Sequence, residues 1–181
     1  NWQAIVTKGD DSWRLHRNNN TNFINFAFTN SASGVDGVTG TIDVNDNKWH
    51  HVAGVYNGST LSLYIDGNLN QSVNISTTIK NSNNPVLIGN NIDPGLNVNN
   101  RNFKGNIDEV RIWNVARTAT QIQNNYLSEL AGNESGLVAY YNFNQGIING
   151  ANTSITTLID RGNNNLTGTL TNITRTGTTS N

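Results

Sequence analysis

The sequence predicts an all-β protein, an antiparallel jelly-roll β-sandwich with one short helix. Many short segments alternate between apolar and polar residues, and turn residues separate them at short, regular intervals. That pattern is typical of sandwiches and jelly rolls. Asn57-Gly58 and Asp66-Gly67 are dipeptides that favour tight hairpins, and therefore antiparallel pairing. A single segment has the periodicity of an amphipathic helix.

The first half of the chain carries most of the predicted strands. Trp13 and Leu15 alternate with Arg14 and His16, so the two pairs are expected on opposite faces of one strand. Trp49 lies in another predicted strand and is expected to pack in the core. A loop is predicted at 31–40, and strands are predicted at 4–6, 12–17, 22–29, 40–44, 48–56, 60–65 and 68–75.

The second half contains the predicted helix and an irregular tail. Three further strands are predicted, at 85–89, 107–113 and 136–143. The last of these is apolar on both faces, so it is expected to be central and covered on both sides. Thr118 is a suitable N-cap for a helix over about 119–130, which Gly132 would close. The stretch 149–181, rich in Asn, Thr and Gly, is expected to be irregular with one or two edge strands.

Composition excludes several classes of function. The chain has no cysteine, which excludes disulfides, thiol catalysis and cysteine-ligated zinc. A net charge of -1 with 13% charged residues provides no basic field for nucleic acid. Without an apolar run long enough to span a bilayer, no membrane insertion is expected. The chain begins at Asn1-Trp2 and contains no methionine, so we expect a mature or excised piece of a larger multidomain chain. The low charge and many polar turn residues favour a secreted or cell-surface protein.

Blocks spread along the chain carry a resemblance to a known family. In order they are Lys8-Gly9-Asp10, Trp49-His50-His51-Val52-Ala53, Leu61 to Gly67 (LSLYIDG), Leu87-Ile88-Gly89, Phe103 to Asn114 (FKGNIDEVRIWN), Ala116-Arg117-Thr118 and Leu130 to Tyr141 (LAGNESGLVAYY). The chain resembles laminin-G-like jelly-roll domains of the concanavalin A-like lectin/glucanase superfamily, which are related to pentraxins, and in particular those of bacterial surface proteins. The resemblance spans about 3–143. It implies a sandwich over 1–145 and an extension over 146–181 that packs on this domain or leaves it.

The start of the chain departs from the family pattern. Family members usually have further strands before the Lys8-Gly9-Asp10 turn. The first strands are therefore missing here, or 136–170 supplies replacements.

The resemblance also implies a structural calcium site. In this superfamily the aspartate that opens the last long strand often binds calcium, which here implies Asp108 as a ligand. Calcium takes six to eight hard oxygen ligands, so the Gly105 carbonyl and the Asp160 carboxylate are further candidates. The alternative is that Asp108 pairs with Arg111 or caps a turn.

Sugar recognition needs exposed aromatic side chains together with polar groups that bind hydroxyls. Strand residues with solvent-facing side chains and an acidic loop residue are the candidates, and ordinary surface or core packing is the alternative for each. The candidate ligand-binding residues are Trp13, Arg14, His16, Tyr56, Tyr64 and Asp93.

Catalysis is disfavoured by the spacing of the acidic residues and histidines. Glycoside hydrolysis needs two carboxyl groups roughly 5–10 Å apart, and catalytic relatives carry an E-x-D-x-x-E pattern that this sequence lacks. Asp108 and Glu109 are consecutive, as are His50 and His51, so within a strand each pair points to opposite faces. The sequence therefore predicts a non-catalytic adhesion or carbohydrate-binding module whose partner is a glycan or an extracellular protein. The alternative is an inert spacer domain of a larger secreted protein.

Overall fold

The computed structural model describes residues 2–92, 101–147 and 150–172. Contacts divide the chain into two compact units, one of Asn1–Asn106 with Ala116–Leu127 and one of Ile107–Val115 with Ser128–Asn181. The described elements are β1 (Ala4–Thr7), β2 (Trp13–Arg17), β3 (Ile24–Thr29), β4 (Val35–Thr39), β5 (Val52–Tyr56), β6 (Thr60–Ile65), β7 (Asn68–Asn74), β8 (Leu87–Ile88), β9 (Val110–Trp113), α1 (Ala119–Asn125), β10 (Leu137–Tyr141), β11 (Thr157–Leu158) and β12 (Gly168–Thr169).

The first unit is a sandwich of two antiparallel sheets. One sheet has five strands in the order β4-β3-β2-β1-β8, and the other has three in the order β5-β6-β7. The turn between β6 and β7 uses Asp66 and Gly67 at φ values of 50° and 76°, as the predicted hairpin requires. The predicted all-β antiparallel sandwich with one short helix is confirmed.

Apolar side chains from the two sheets meet in one core. Phe28 and Leu61 are fully buried, and the Phe28 ring lies 5.1 Å from the Tyr56 ring, centroid to centroid. Trp13 and Leu15 also pack on this core, which places Arg14 and His16 on the opposite face of β2. The buried core residues are Ile24, Phe26, Phe28, Val38, Leu61 and Leu63.

Two local predictions in the first unit are wrong. The strand predicted at 40–44 lies instead at Val35–Thr39, where it pairs with β3 along its whole length and buries Val38 in the core. Tertiary pairing overrides the turn-like composition there, because backbone hydrogen bonds and one buried valine stabilise the strand. Trp49 was expected in the core, yet it precedes β5 and is 65% exposed.

The helix begins as predicted but ends early. Thr118 is its N-cap, with a capping box in which Thr118 and Gln121 exchange hydrogen bonds. It ends at Asn125 rather than near Leu130. Leu130 lies beyond the helix, and its N–H donates to the Tyr140 hydroxyl at 3.2 Å. Within the described residues, no helix is long and apolar enough to cross a membrane.

The second unit contains two small antiparallel ladders, β9 with β10 and β11 with β12. The strand predicted at 136–143 was expected to be central and covered on both sides. It is buried, since Tyr140 is 1% exposed, but it is not central, because β9 is its one strand neighbour among the described residues. Its second edge is covered by a loop rather than by a strand. Asp160 accepts from the Tyr140 N–H at 2.9 Å, and the Arg161 N–H donates to the Tyr140 carbonyl at 2.7 Å. The predicted division into 1–145 and 146–181 stays a prediction.

Candidate functional site

A cleft of about 240 Å³ lies on the face of the larger sheet that points away from the hydrophobic core. Strands β2, β3 and β4 each contribute alternate residues to it, and the segments near both ends of β1 and before Phe103 add the rest. All of its residues belong to the first unit. We call it the sheet-face cleft, and it is lined by Trp2, Asp10, Arg14, His16, Asn25, Ala27, Val35, Gly37 and Arg101.

Small residues leave a hollow beside the longer side chains of the sheet-face cleft. The strand register places Arg14 opposite Ala27, and Ala27 opposite Gly37. A Cβ atom added to Gly37 would lie 3.0 Å from the Cβ of Ala27, so a larger residue would fill this space. The hollow therefore exists because the residues at these positions of β3 and β4, Ala27 and Gly37, are small.

One carboxylate in the cleft stands beside two guanidinium groups. Asp10 Oδ1 accepts hydrogen bonds from Arg101 Nη1 and Asn91 Nδ2, both at 2.7 Å, and lies 3.7 Å from Arg14 Nε. Arg14 Nη1 donates to the Asp10 carbonyl at 3.1 Å and to Thr29 Oγ1 at 3.3 Å. Burial lowers the pKa of Arg14, and the Asp10 carboxylate acts in the opposite direction. An arginine stays protonated at neutral pH, so the cleft holds two positive charges and one negative charge.

His16 supplies an unused hydrogen-bond acceptor to the cleft. It is 5% exposed, and the Trp2 ring packs edge-on against it with centroids 4.8 Å apart. Its Nδ1 lies 3.1 Å from the Arg17 carbonyl oxygen, and since a carbonyl only accepts, the proton is on Nδ1. Burial lowers the pKa of His16 to about 4, so the ring is neutral at neutral pH. The lone pair of Nε2 has no hydrogen-bond partner among the described residues.

The predicted ligand-binding residues divide between the cleft and the interior. Arg14 and His16 line the cleft, although at 9% and 5% exposure they are not the solvent-facing side chains that we expected. Trp13 and Tyr56 pack on the core, because strand alternation points them at the opposite sheet. Tyr64 is also buried, at 8% exposure. Asp93 lies outside the described residues.

The predicted calcium ligands have different surroundings. Gly105 is exposed and belongs to the first unit, and Asp108 is exposed and belongs to the second. Desolvation raises the pKa of Asp108, and the charges of Glu109 and Glu129 raise it further. This negative local potential favours a cation. Glu109 is already bound by the Tyr140 hydroxyl at 2.9 Å, and the described residues contain no group of three or more His, Cys, Asp or Glu side chains able to hold a metal.

Asp160, the other predicted calcium ligand, has a structural environment. It is 7% exposed. Its Oδ1 accepts from the N–H groups of Tyr140 at 2.9 Å and Gly162 at 2.8 Å, and its Oδ2 accepts from the Leu166 N–H at 2.8 Å. The carboxylate therefore holds the loop that covers the edge of β10.

Sequence reasoning missed most of the cleft. Asp10 was named only as part of the Lys8-Gly9-Asp10 turn, and Trp2, Asn25 and Arg101 were not identified. Extending the alternation of Arg14 and His16 across the hairpin to β3 would have found Asn25, which pairs with His16. No local signal identifies Arg101, because it reaches Asp10 from a position 91 residues away.

The two packed antiparallel sheets are those of a concanavalin A-like β-sandwich. The model of a laminin-G-type family, described as the concanavalin A-like lectin/glucanases superfamily, matches residues 1–123. The chain belongs to this family, which confirms the resemblance found in the sequence. Comparison with curated proteins finds no significant match.

A solved structure shows the same fold at low identity. A protein from Bacteroides ovatus ATCC 8483, provisionally described as a carbohydrate binding protein, is 21% identical with a TM-score of 0.72, over 93% of this chain and 47% of its own. The chain thus spans about half the length of that protein. An S-layer domain-containing protein from Clostridium thermocellum ATCC 27405 is 24% identical over 68% of this chain and 62% of its own, with a TM-score of 0.41. The second likeness is too weak to bear on the fold.

Proposed function

We propose that the chain is a non-catalytic carbohydrate-binding module that mediates adhesion to a glycan through the sheet-face cleft. The observation that carries this proposal is His16 Nε2, a buried acceptor without a partner among the described residues, beside the partly exposed ring of Trp2. A sugar ring offers hydroxyl donors for such an acceptor and an apolar C–H face for an aromatic ring. The provisional role of the Bacteroides ovatus protein supports the same class of ligand.

The size of the cleft favours a short ligand. Pockets for drug-sized ligands occupy about 300–1,000 Å³, whereas the sheet-face cleft measures about 240 Å³. It therefore suits one sugar residue, such as the end of a chain or a single branch.

The acidic groups of the cleft support a binding function over a hydrolytic one. Glycoside hydrolysis requires two carboxyl groups about 5–10 Å apart, and Asp10 is the one carboxylate among the described residues that line the cleft. Arg101 and Asn91 both bind Asp10 Oδ1. A lone carboxylate held in this way lacks the partner that acid–base catalysis needs.

The proposed setting is a secreted or surface-anchored protein in which this module is one part of a longer chain. The Bacteroides ovatus protein, of which the chain covers 47%, supports such a modular setting. The partner is then a glycan, or an extracellular protein that carries one.

Replacing Trp2 by alanine tests the cleft. We expect the wild-type chain to bind at least one glycan on an array, and Trp2→Ala to weaken that binding roughly fivefold or more, since an aromatic contact contributes about 0.5–1.5 kcal/mol beyond area burial. Isothermal titration with the array-selected sugar measures the loss. Trp49→Ala is the matched control, because Trp49 is 65% exposed and does not line the cleft.

Three outcomes contradict the proposal. Loss of binding in Trp49→Ala but not in Trp2→Ala would move the site to the other tryptophan. Absence of binding to every glycan would favour the alternative, a spacer domain, and measurable cleavage of a polysaccharide would favour an enzyme.

We also propose that Asp108 binds a structural Ca²⁺, supported by the negative potential around this carboxylate. Adding Ca²⁺ to metal-stripped protein should then raise the melting temperature. A ligand at 100 times its Kd stabilises the folded state by about 2.7 kcal/mol. We expect Asp108→Asn to abolish the shift and Asp11→Asn, which removes a carboxylate paired only loosely with Lys80 at 3.9 Å, to leave it intact. Identical melting curves in Ca²⁺ and EDTA for metal-loaded wild-type protein would contradict the site.

A further inference from the structure

The charges of the sheet-face cleft bear on the chemical class of the sugar. Arg14 and Arg101 line the cleft together, with Asp10 as the one carboxylate among the described lining residues. His16 is neutral at neutral pH, because burial lowers its pKa to about 4. The cleft therefore has one surplus positive charge.

The surplus charge falls mainly on Arg14. Asp10 Oδ1 lies 2.7 Å from Arg101 Nη1 but 3.7 Å from Arg14 Nε, and the longer distance is beyond a hydrogen bond. The hydrogen bonds of Arg14 go to two uncharged oxygens, the Asp10 carbonyl and Thr29 Oγ1. At 9% exposure this guanidinium is largely removed from water, and a buried charge is costly unless an opposite charge lies near it.

An acidic group on the ligand would supply the missing charge. The planar guanidinium group matches a carboxylate, with two parallel N–H donors. His16 Nε2, which can only accept in its neutral form, is suited to a hydroxyl and not to the carboxylate itself. A ligand that carries both a carboxylate and a hydroxyl can therefore bind Arg14 with the first and His16 Nε2 with the second.

We propose that the sheet-face cleft selects an acidic sugar, a residue whose carboxylate pairs with Arg14 and whose hydroxyl groups bond to His16 Nε2. A uronic acid has this chemistry. The inference rests on the proposed function and specifies its ligand, since a neutral sugar would leave Arg14 and Arg101 to share the single negative charge of Asp10.

Matched sugars that differ only in the carboxylate test this selectivity. We expect methyl glucuronide and methyl galacturonide to bind at least about tenfold more tightly than methyl glucoside and methyl galactoside, because a charge-assisted hydrogen bond is about twice as strong as a neutral one. Titration followed by NMR measures weak binding directly. The preference should shrink only modestly as NaCl is raised, since salt screens a largely buried charge pair less than an exposed one.

Variants locate the preference in the cleft. Arg14→Gln and Arg101→Gln should each lower the ratio of acidic to neutral binding, and using both protects the test if one variant folds poorly. Lys48→Gln is the matched control, since it removes one positive charge at a side chain that is 76% exposed and outside the cleft. An unchanged ratio in this control supports the inference, whereas an equal fall there would indicate long-range charge and overturn it.

The outcomes separate this inference from the proposed function. If the neutral sugar of each pair binds equally or more tightly, and Trp2→Ala abolishes that binding, the acidic preference is overturned. The proposed carbohydrate-binding function would then still stand. Preferred binding of sulfated sugars over uronic acids would overturn the assignment of a carboxylate. Absence of binding to every sugar and to every array glycan would overturn both.

Discussion

Replacing Gly54 by alanine is expected to destabilise the first unit by about 3 kcal/mol or more, at the upper end of what overpacking costs. Gly54 lies on β5, and a Cβ atom added there would come within 2.5 Å of three ring carbons of Phe26. Normal contact between carbon atoms is about 3.5–4.0 Å. Phe26 is 8% exposed and part of the core, so its ring cannot move away without disturbing its neighbours.

Calorimetry of purified variants measures this loss. A destabilisation of this size should lower the melting temperature by roughly 10 °C. Gly168→Ala is the matched control, because its added Cβ would meet Leu158 Cβ at an ordinary contact distance of 3.5 Å. We expect that control to melt close to wild type.

A double variant separates steric overlap from other effects of the glycine. Phe26→Leu removes part of the ring and should cost stability by itself, yet it opens space above Gly54. The combined Gly54→Ala and Phe26→Leu variant should therefore lose less stability than the sum of the single losses. Wild-type melting of Gly54→Ala, or full additivity in the double variant, would show that the two sheets are not in the predicted contact.

Replacing Asp160 by alanine is expected to destabilise the second unit by about 3 kcal/mol or more. Its carboxylate accepts three backbone N–H groups, from Tyr140, Gly162 and Leu166. Hydrogen bonds to a charged group each contribute about 1.5–3 kcal/mol, and a buried donor left unpaired adds a cost of similar size. Asp160→Asn should lose less stability, because its remaining oxygen can still accept while its NH₂ group opposes one of the three N–H groups.

This prediction also discriminates between the two roles of Asp160. If the carboxylate anchors the loop, the loss in Asp160→Ala should be the same in EDTA and in Ca²⁺. A loss confined to Ca²⁺ would instead make Asp160 a metal ligand, for which it was a candidate because calcium takes six to eight oxygen ligands. Asp43→Ala is the control, since it removes an exposed carboxylate that also accepts from a backbone N–H, that of Asn45 at 2.8 Å, and should melt nearly as wild type.

Local sequence predicted the strands well where alternation and turn chemistry agreed. In β2 the alternation assigned Trp13 and Leu15 to one face and Arg14 and His16 to the other, and the structure has this arrangement. It failed for β4, in which Asp36 and Gly37 interrupt the β-branched residues, because pairing with β3 stabilises that strand. Strand propensity depends on the residues of one segment, so it does not include the stabilisation from a neighbouring strand that only the tertiary fold provides.

The helix and Tyr64 show a second kind of limit. The helix was predicted to reach Leu130 because apolar residues have helical spacing up to that position. In the structure the N–H of Leu130 donates to the Tyr140 hydroxyl instead of to a helical carbonyl. Tyr64 was a candidate for a binding surface, and it is 8% exposed. Periodicity tells which residues share a face, and packing decides whether that face is covered.

The sequence by itself determined the family, the antiparallel sandwich, the hairpin at Asp66-Gly67 and the position of Arg14 and His16 on the same face of one strand. The family follows from the resemblance carried by the motifs spread along the chain. The other features follow from local rules, because side-chain alternation and turn geometry depend on neighbours in the chain. Tertiary structure alone decided the cleft, in which Trp2, Asp10 and Arg101 meet around that strand. Asp10 and Arg101 are 91 residues apart, and only the packing of the sheet with its flanking segments brings their charges together beside Arg14.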